Sequence, residues 1–167
     1  MDSRTPVRVR REYAVSQEGM ELIHRLSAEM GARYGDAGTG CFHPEDVQRP
    51  ASPFVTGWLG ERAVGCGALR PLEPEIGEVK RMYTDPQFRG RGVARAILQE
   101  LEQTAVELGL VAIRLETGVR QPDAIRLYER AGYRRIPCYG VYRQNPTSIC
   151  FEKQLSPSCD SEPDPTF

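Results

Sequence analysis

Between Glu78 and Gln103 the chain reads EVKRMYTDPQFRGRGVARAILQELEQ, and this segment constrains the fold more than any other. A run able to pair as a strand ends at Asp85-Pro86 and passes through Arg89-Gly90-Arg91-Gly92. It then becomes a helical pattern with Val93, Ala94, Ile97, Leu98, Leu101, Ala105 and Leu108 on one face, stopped by Gly109. A helix N-terminus presents unpaired N–H groups and the positive end of the helix dipole, which together make an anion site. Gly90 and Gly92 open backbone conformations closed to other residues and let a phosphate approach the amides. Arg89 and Arg91 add charge-assisted donors suited to phosphate oxygens. The segment reads as a strand–turn–helix able to cradle a pyrophosphate, or as a tight turn with solvated arginines.

The rest of the chain alternates strand and helix signals. Val7–Val15 alternates apolar and charged residues in its first half, as a half-buried strand does. Ser16 is placed to cap a helix carrying Met20, Ile23, Leu26 and Met30, and Gly31 to Pro50 reads as a long loop. FVTGWL and RAVGCGAL flank a hairpin turn at Gly60-Glu61, PLEPE turns again, and a strand covers Ile76–Tyr83. Next come a strand at Val111–Glu116, a helix at Pro122–Ala131 ended by Gly132, and strands near Tyr133–Pro137 and Ser148–Lys153. The pattern implies a mixed α/β or α+β sheet with helices on both faces. One domain spans residues 1–155; residues 156–167, too poor in apolar side chains to pack, read as a disordered tail.

With 27% charged residues and a net charge of −1, the chain has no basic field for nonspecific nucleic-acid binding. No apolar run is long enough to span a bilayer, so no membrane partner is expected. Five cysteines, an odd number without a C-x-x-C pair, speak against a disulfide framework or structural zinc and fit a reducing cytoplasm. His24 and His43 stand alone and carry no assigned role.

Three phosphate cradles compete for the glycine turn. A Walker A loop requires Gly-Lys-Ser/Thr, whereas Gly92-Val93-Ala94 supplies neither the lysine nor the hydroxyl. A dinucleotide fingerprint requires a small third residue, where Arg95 stands here. The third is the Gln/Arg-x-x-Gly-x-Gly/Ala loop, and Gln87-Phe88-Arg89-Gly90-Arg91-Gly92 meets every fixed position. With the later A-x-x-L-Y-x-x-x-G-Y motif (Ala124 to Tyr133), the chain resembles the GCN5-related N-acetyltransferases over about Val7 to Leu155. That resemblance implies a GNAT acyl-CoA N-acyltransferase fold, α/β with a largely antiparallel central sheet. Its fourth and fifth strands splay apart to admit the pantetheine arm of acetyl-CoA, and no metal is implied.

By the same resemblance, the backbone of Met82, Tyr83 and Thr84 would pair with pantetheine. The amides from Arg89 through Val93 to Ala94 would take the pyrophosphate, and an N–H near Met82 or Tyr83 would polarise the acetyl carbonyl. Tyr128 shares a helical face with Ala124, Leu127 and Ala131, as a core tyrosine would. Matched to the family's Leu-Tyr pair, it becomes the donor to the departing thiolate. Gln121 stands where many relatives carry an asparagine, so its contact with the pantetheine region is open. Deprotonation of the amine falls to Glu78, on the strand before the turn, or to Glu116, which could instead orient substrate; Glu78 would otherwise be a solvent-facing carboxylate. Cys138 permits an acetyl-cysteine route beside the family's usual direct transfer in a ternary complex.

The expected activity is acetyl transfer from acetyl-CoA to a primary amine, with a small molecule as the expected acceptor. Tyr139, Tyr142 and Arg143 are candidates to grip it. A non-catalytic acyl-CoA sensor and a nucleotide-binding protein are the competing readings. An exposed strand edge would suit a homodimer, which is common in the superfamily.

Overall fold

A computed structural model describes residues 5–12, 15–35 and 52–156. Seven strands form one sheet: β1 (Val7–Glu12), β2 (Phe54–Leu59), β3 (Arg62–Glu73), β4 (Ile76–Thr84), β5 (Ala112–Gly118), β6 (Arg134–Ile136) and β7 (Ser148–Gln154). Three α-helices accompany them: α1 (Gln17–Tyr34), α2 (Val93–Glu107) and α3 (Pro122–Arg130). The spatial order is β1-β2-β3-β4-β5-β7-β6. Every neighbouring pair is antiparallel except β4–β5, which the α2 crossover forces into parallel register.

That parallel pairing is short. It runs from Ile76↔Ala112 to Val79↔Leu115, after which β4 continues with β3 and β5 continues with β7. The cause lies in β4. Opposite Gly67 the strand carries an extra residue, because Cys66 pairs with Tyr83 but Ala68 pairs with Lys80. Arg81 takes a positive φ of 57° at this bulge. A bulge bends its strand and raises the local twist, so β4 turns away from β5 and a V opens between them.

Each face of the sheet is covered differently. Buried Val93, Ile97, Leu98, Leu101 and Ala105 of α2 pack on one face with Val55, Leu69, Val79, Ile113 and Phe151, and Tyr128 of α3 joins that cluster. Gly57, Gly65 and Gly67 let α2 sit close to the sheet. A Cβ on Gly65 would lie 2.8 Å from both the Tyr83 carbonyl and the Val93 side chain. On the opposite face α1 sets Leu22, Ile23 and Leu26 against Phe54, Cys66, Ala68 and Tyr83.

The ends of α1 and β3 differ from the sequence reading, and β5 runs on to Gly118. Helix α1 passes through Gly31 and ends at Tyr34, because Gly35, with φ 72°, returns its N–H to the Gly31 carbonyl at 2.9 Å. Strand β3 runs through Pro71 to Glu73, and the reversal falls on Pro74-Glu75, with Glu75 at φ 62°. Ser16 caps α1 as expected, accepting the Gly19 amide at 3.1 Å. Most of the Gly31–Pro50 loop, His43 and all but the first residue of the tail lie outside the described residues.

The close approach of α2 can be tested at Gly65. Gly65→Ala is expected to cost about 1–3 kcal/mol, the usual price of overpacking against backbone. Urea unfolding with an unchanged midpoint would show that α2 does not press on this site.

Candidate active site

The turn into α2 is built by Asp85. Its carboxylate accepts the Gln87 amide at 3.1 Å and pairs with Arg25 at 3.0 Å, and Pro86–Phe88 form a short 3-10 turn. Phe88 is buried beneath the Arg62 and Arg91 guanidinium groups. Gly90 and Gly92 then take φ values of 77° and 80°, the region that favours glycine. The Ala96 amide bonds the Gly92 carbonyl at 3.0 Å, but the six amides before it, from Gly90 to Arg95, meet no main-chain acceptor among the described residues. Gln87, Arg91 and Gly92 are exposed around them, while Val93 is buried and Ala94 half-buried. Arg91 forms no ion pair among the described residues.

Arg89 is committed elsewhere. Its guanidinium donates to the Thr84 carbonyl at 3.0 Å and to Glu29 of α1 at 2.7 Å, so it braces the turn against α1. Its amide reaches the Pro86 carbonyl at 3.5 Å.

Beside this turn, β4 from Lys80 to Thr84 has no β5 partner. Its edge carries the Met82, Tyr83 and Thr84 backbone expected to meet the pantetheine arm. Thr84 Oγ1 is buried there with no hydrogen-bond partner among the described residues. An extended amide-bearing ligand would fit such an edge, and a pyrophosphate would fit the amide row.

Tyr128 is buried on α3, with its ring edge-on to Tyr133 at 5.9 Å and tilted against Phe151 at the same distance. Burial, and then the nearby Glu116 carboxylate, push its phenol well above the usual tyrosine range. It is a persistent O–H donor at neutral pH. Gln121 opens α3 without a side-chain capping bond, and its amide donates to the Gly118 carbonyl at 3.0 Å.

A second constellation lies on the α1 side of the sheet. Glu78 is fully enclosed rather than solvent-facing. Its Oε2 pairs with Arg70 at 2.7 Å, and its Oε1 accepts the Tyr139 hydroxyl at 2.9 Å and the Tyr142 hydroxyl at 3.3 Å. Burial, then Glu78 itself, push the Tyr139 phenol far up, so it stays a donor. The Tyr139 and Tyr142 rings meet edge-on at 5.5 Å, and Lys80 reaches the Tyr142 hydroxyl. Glu116 is half-buried on β5 and accepts the Ser148 hydroxyl at 2.5 Å. Arg143 is exposed and stands outside this network. Cys138 reaches the Ser148 carbonyl at 3.7 Å, and His24 lies exposed on α1.

The comparisons with known proteins decide the family. The profile of the Acetyltransferase (GNAT) family matches residues 20–133. The chain belongs to this family. An IAA acetyltransferase of Azospirillum brasilense is 33% identical over 150 residues, covering 89% of this chain and 98% of that protein. The uncharacterized N-acetyltransferase YsnE of Bacillus subtilis is 33% identical over 113 residues, 66% of this chain and 75% of that one. Among solved structures, a candidate acyl-CoA N-acyltransferase of Klebsiella pneumoniae superposes with a TM-score of 0.76 at 29% identity, covering 93% of this chain and 100% of that one. The PaiA N-acetyltransferase of Thermoplasma acidophilum, solved in complex with coenzyme A, shares the fold with a TM-score of 0.66 at 15% identity, covering 89% of this chain and 99% of that one.

Within this GNAT fold the structure gathers Glu78, Tyr139 and Tyr142, which lie far apart in sequence, and leaves Arg143 outside. Sequence reasoning missed Arg70, which neutralises Glu78, and Tyr34. The Tyr34 hydroxyl accepts the Arg120 amide at 3.2 Å and presses on Gly118, tying the end of α1 to the end of β5. No local motif marks either residue. A weak signal for Arg70 was its place in the strand that pairs with Glu78.

Losing one partner of an enclosed ion pair costs about 3–5 kcal/mol. Because the Arg70 side chain is 23% exposed, Glu78→Gln is expected to cost somewhat less, about 2–3 kcal/mol. Wild-type stability in urea would contradict the burial of this pair.

Proposed function

We propose that the chain is an N-acetyltransferase that uses acetyl-CoA to acetylate a primary amine of a small molecule by direct attack in a ternary complex. The observation that carries this reading is the row of open amides from Gly90 to Arg95, set at the mouth of the V between β4 and β5. Acetyl-CoA supplies a thioester whose acetyl carbon is open to a neutral amine. The chain's own part is to bind, orient and manage charge. The amides of Gly90 to Ala94, with Arg91 beside them, would hold the pyrophosphate at the positive end of α2. The Met82–Thr84 edge would pair with the pantetheine amides, and an N–H there would face the acetyl oxygen as it gains charge. The Tyr128 hydroxyl would donate to the sulfur as the carbon–sulfur bond breaks. Buried Glu78 would hold the Tyr139 and Tyr142 hydroxyls in place against the acceptor rather than meet it. Direct transfer gives no part to Cys138, whose thiol reaches the Ser148 carbonyl.

Two measurements test this reading. Calorimetric titration should show acetyl-CoA and CoA binding without metal and Mg-ATP binding far more weakly; preference for Mg-ATP would overturn it. A panel of amino acids, polyamines, arylalkylamines, aminoglycosides and peptides with free N-termini, monitored by thiol release, should yield at least one acceptor. On that acceptor Tyr128→Phe should lower turnover at least tenfold, about 1.4 kcal/mol of barrier, with acetyl-CoA affinity nearly unchanged. Full turnover would remove Tyr128 from the chemistry, and an empty panel would favour an acyl-CoA sensor.

A further inference from the structure

Three cysteines stand among the described residues, and two of them meet beside the Glu78–Tyr139 network. Cys66 is sealed beneath α1, with its thiol on the Arg81 carbonyl at 3.4 Å. Cys150 is buried on β7, between its partner Glu116 on β5 and its partner Ile136 on β6. Cys138 follows Ile136 by two residues and is half-buried, so solutes reach it.

The chain does not continue the ladder after Ile136. In a continued antiparallel pair Tyr139 would stand opposite Thr147, yet its amide lies against the Cys150 sulfur. The segment therefore folds back over Cys150, where the Cys138 and Cys150 thiols act on each other through a hydrogen bond and through charge. Cys138 also meets the Ser148 carbonyl at 3.7 Å. A disulfide needs two cysteines brought together in this way by the backbone. The next residue, Tyr139, donates its hydroxyl to Glu78 at 2.9 Å, and the Ser148 hydroxyl holds Glu116. A displacement of Cys138 is thus passed to both carboxylates.

We propose that Cys138 and Cys150 are an oxidisable pair that hydrogen peroxide closes to a disulfide, and that closure disables the acceptor side of the site. The two thiols differ as this chemistry requires. Burial, and then Cys138, push the Cys150 thiol up to about 12, so it stays protonated and inert toward solutes at neutral pH. Cys138 is the thiol that peroxide meets. Its thiolate attacks one peroxide oxygen, a sulfur–oxygen bond forms, and the oxygen–oxygen bond breaks. The hydroxide that leaves takes up the proton lost by the thiol and becomes water. The Cys150 sulfur, held beside the sulfenic acid so formed, then attacks the Cys138 sulfur. The sulfur–sulfur bond forms, the sulfur–oxygen bond breaks, and the Cys150 proton leaves with the second hydroxide as water. Both sulfurs are oxidised, and one peroxide is reduced to two waters.

Closure moves Cys138 off the Ser148 carbonyl toward Cys150 and draws Tyr139 with it. The Tyr139 hydroxyl then leaves Glu78, and the wall proposed to face the acceptor is lost. The amides of Gly90 to Arg95 and the Met82–Thr84 edge belong to other elements and keep their geometry. A dithiol reductant reopens the bond by exchange and returns two electrons and two protons to the pair. The loss of acceptor turnover rests on the acetyltransferase reading above, whereas the cross-link itself does not.

The test uses the full chain carrying Cys41→Ser and Cys159→Ser, treated with hydrogen peroxide at neutral pH. Its intact mass should fall by two hydrogens, Cys138 and Cys150 should stop reacting with a thiol reagent, and peptide mapping should join them. Adding Cys138→Ser should abolish all three changes and leave the turnover of the reduced enzyme as it was. On the fastest amine of the panel the oxidised protein should lose about tenfold or more in kcat/KM, since misplaced positioning groups cost rate steeply. Dithiothreitol should restore it, and acetyl-CoA binding by calorimetry should match that of the reduced protein. Oxidation of Cys138 without a cross-link, or a mapped Cys138–Cys150 bond that leaves amine turnover unchanged, would overturn the proposal. An empty panel with the reduced enzyme would strike the acetyltransferase reading instead, and mass and mapping would then judge the pair alone.

Discussion

The extra residue in β4 at Arg81 is the constraint from which the rest of this molecule follows. A parallel pair joined by a helix would ordinarily zip along its whole length, and such a sheet would have no opening at its centre. The bulge turns β4 away after Val79, and the two strands finish with different partners. What remains, among the described residues, is a stretch of β4 that has left β5 beside a helix terminus whose first amides meet no main-chain acceptor. Both expose backbone hydrogen-bonding groups that a buried, regular structure would have satisfied.

The surrounding packing keeps that opening rigid. On one side, three glycines in β2 and β3 bring α2 close to the sheet, which fixes where its N-terminus points. On the other, Arg89 ties the turn to Glu29 of α1, and Tyr34 ties the end of α1 to β5. The V is therefore bridged on the α1 side while its backbone edge stays open. Held in this way, the amides need little reorganisation to receive an anion, which is the source of strength in preorganised sites.

Charge is partitioned between the two faces. Tyr128 belongs to the α2 side, in an apolar cluster that keeps its proton on. The carboxylates belong to the α1 side, where Glu78 is neutralised by Arg70 and Glu116 is not. The acetyl transfer proposed above must remove a proton from nitrogen and deliver one to sulfur, and this separation would keep a proton donor and a carboxylate from quenching each other.

Much of this was legible in the sequence because local physics fixed it. Gly90, Gly92, Gly109 and Gly132 all adopt the positive φ that their places after a strand or after a helix require. Helix α2 and the strand before it were readable from spacing alone. The end of α1 was not, since Gly31 looks like a stop but Gly35 supplies the left-handed cap. Nor was the environment of Glu78. Its partners Tyr139 and Tyr142 lie 61 and 64 residues away, and no periodicity reports a contact at that separation. The bulge at Arg81 was equally silent, for it arises from pairing with β3 and not from a glycine. Hydrogen exchange of the backbone amides, with and without acetyl-CoA, tests the central claim most directly. The account predicts slowed exchange at Gly90 to Arg95 and along Lys80 to Thr84. Unchanged exchange at both segments, with protection appearing elsewhere, would contradict it.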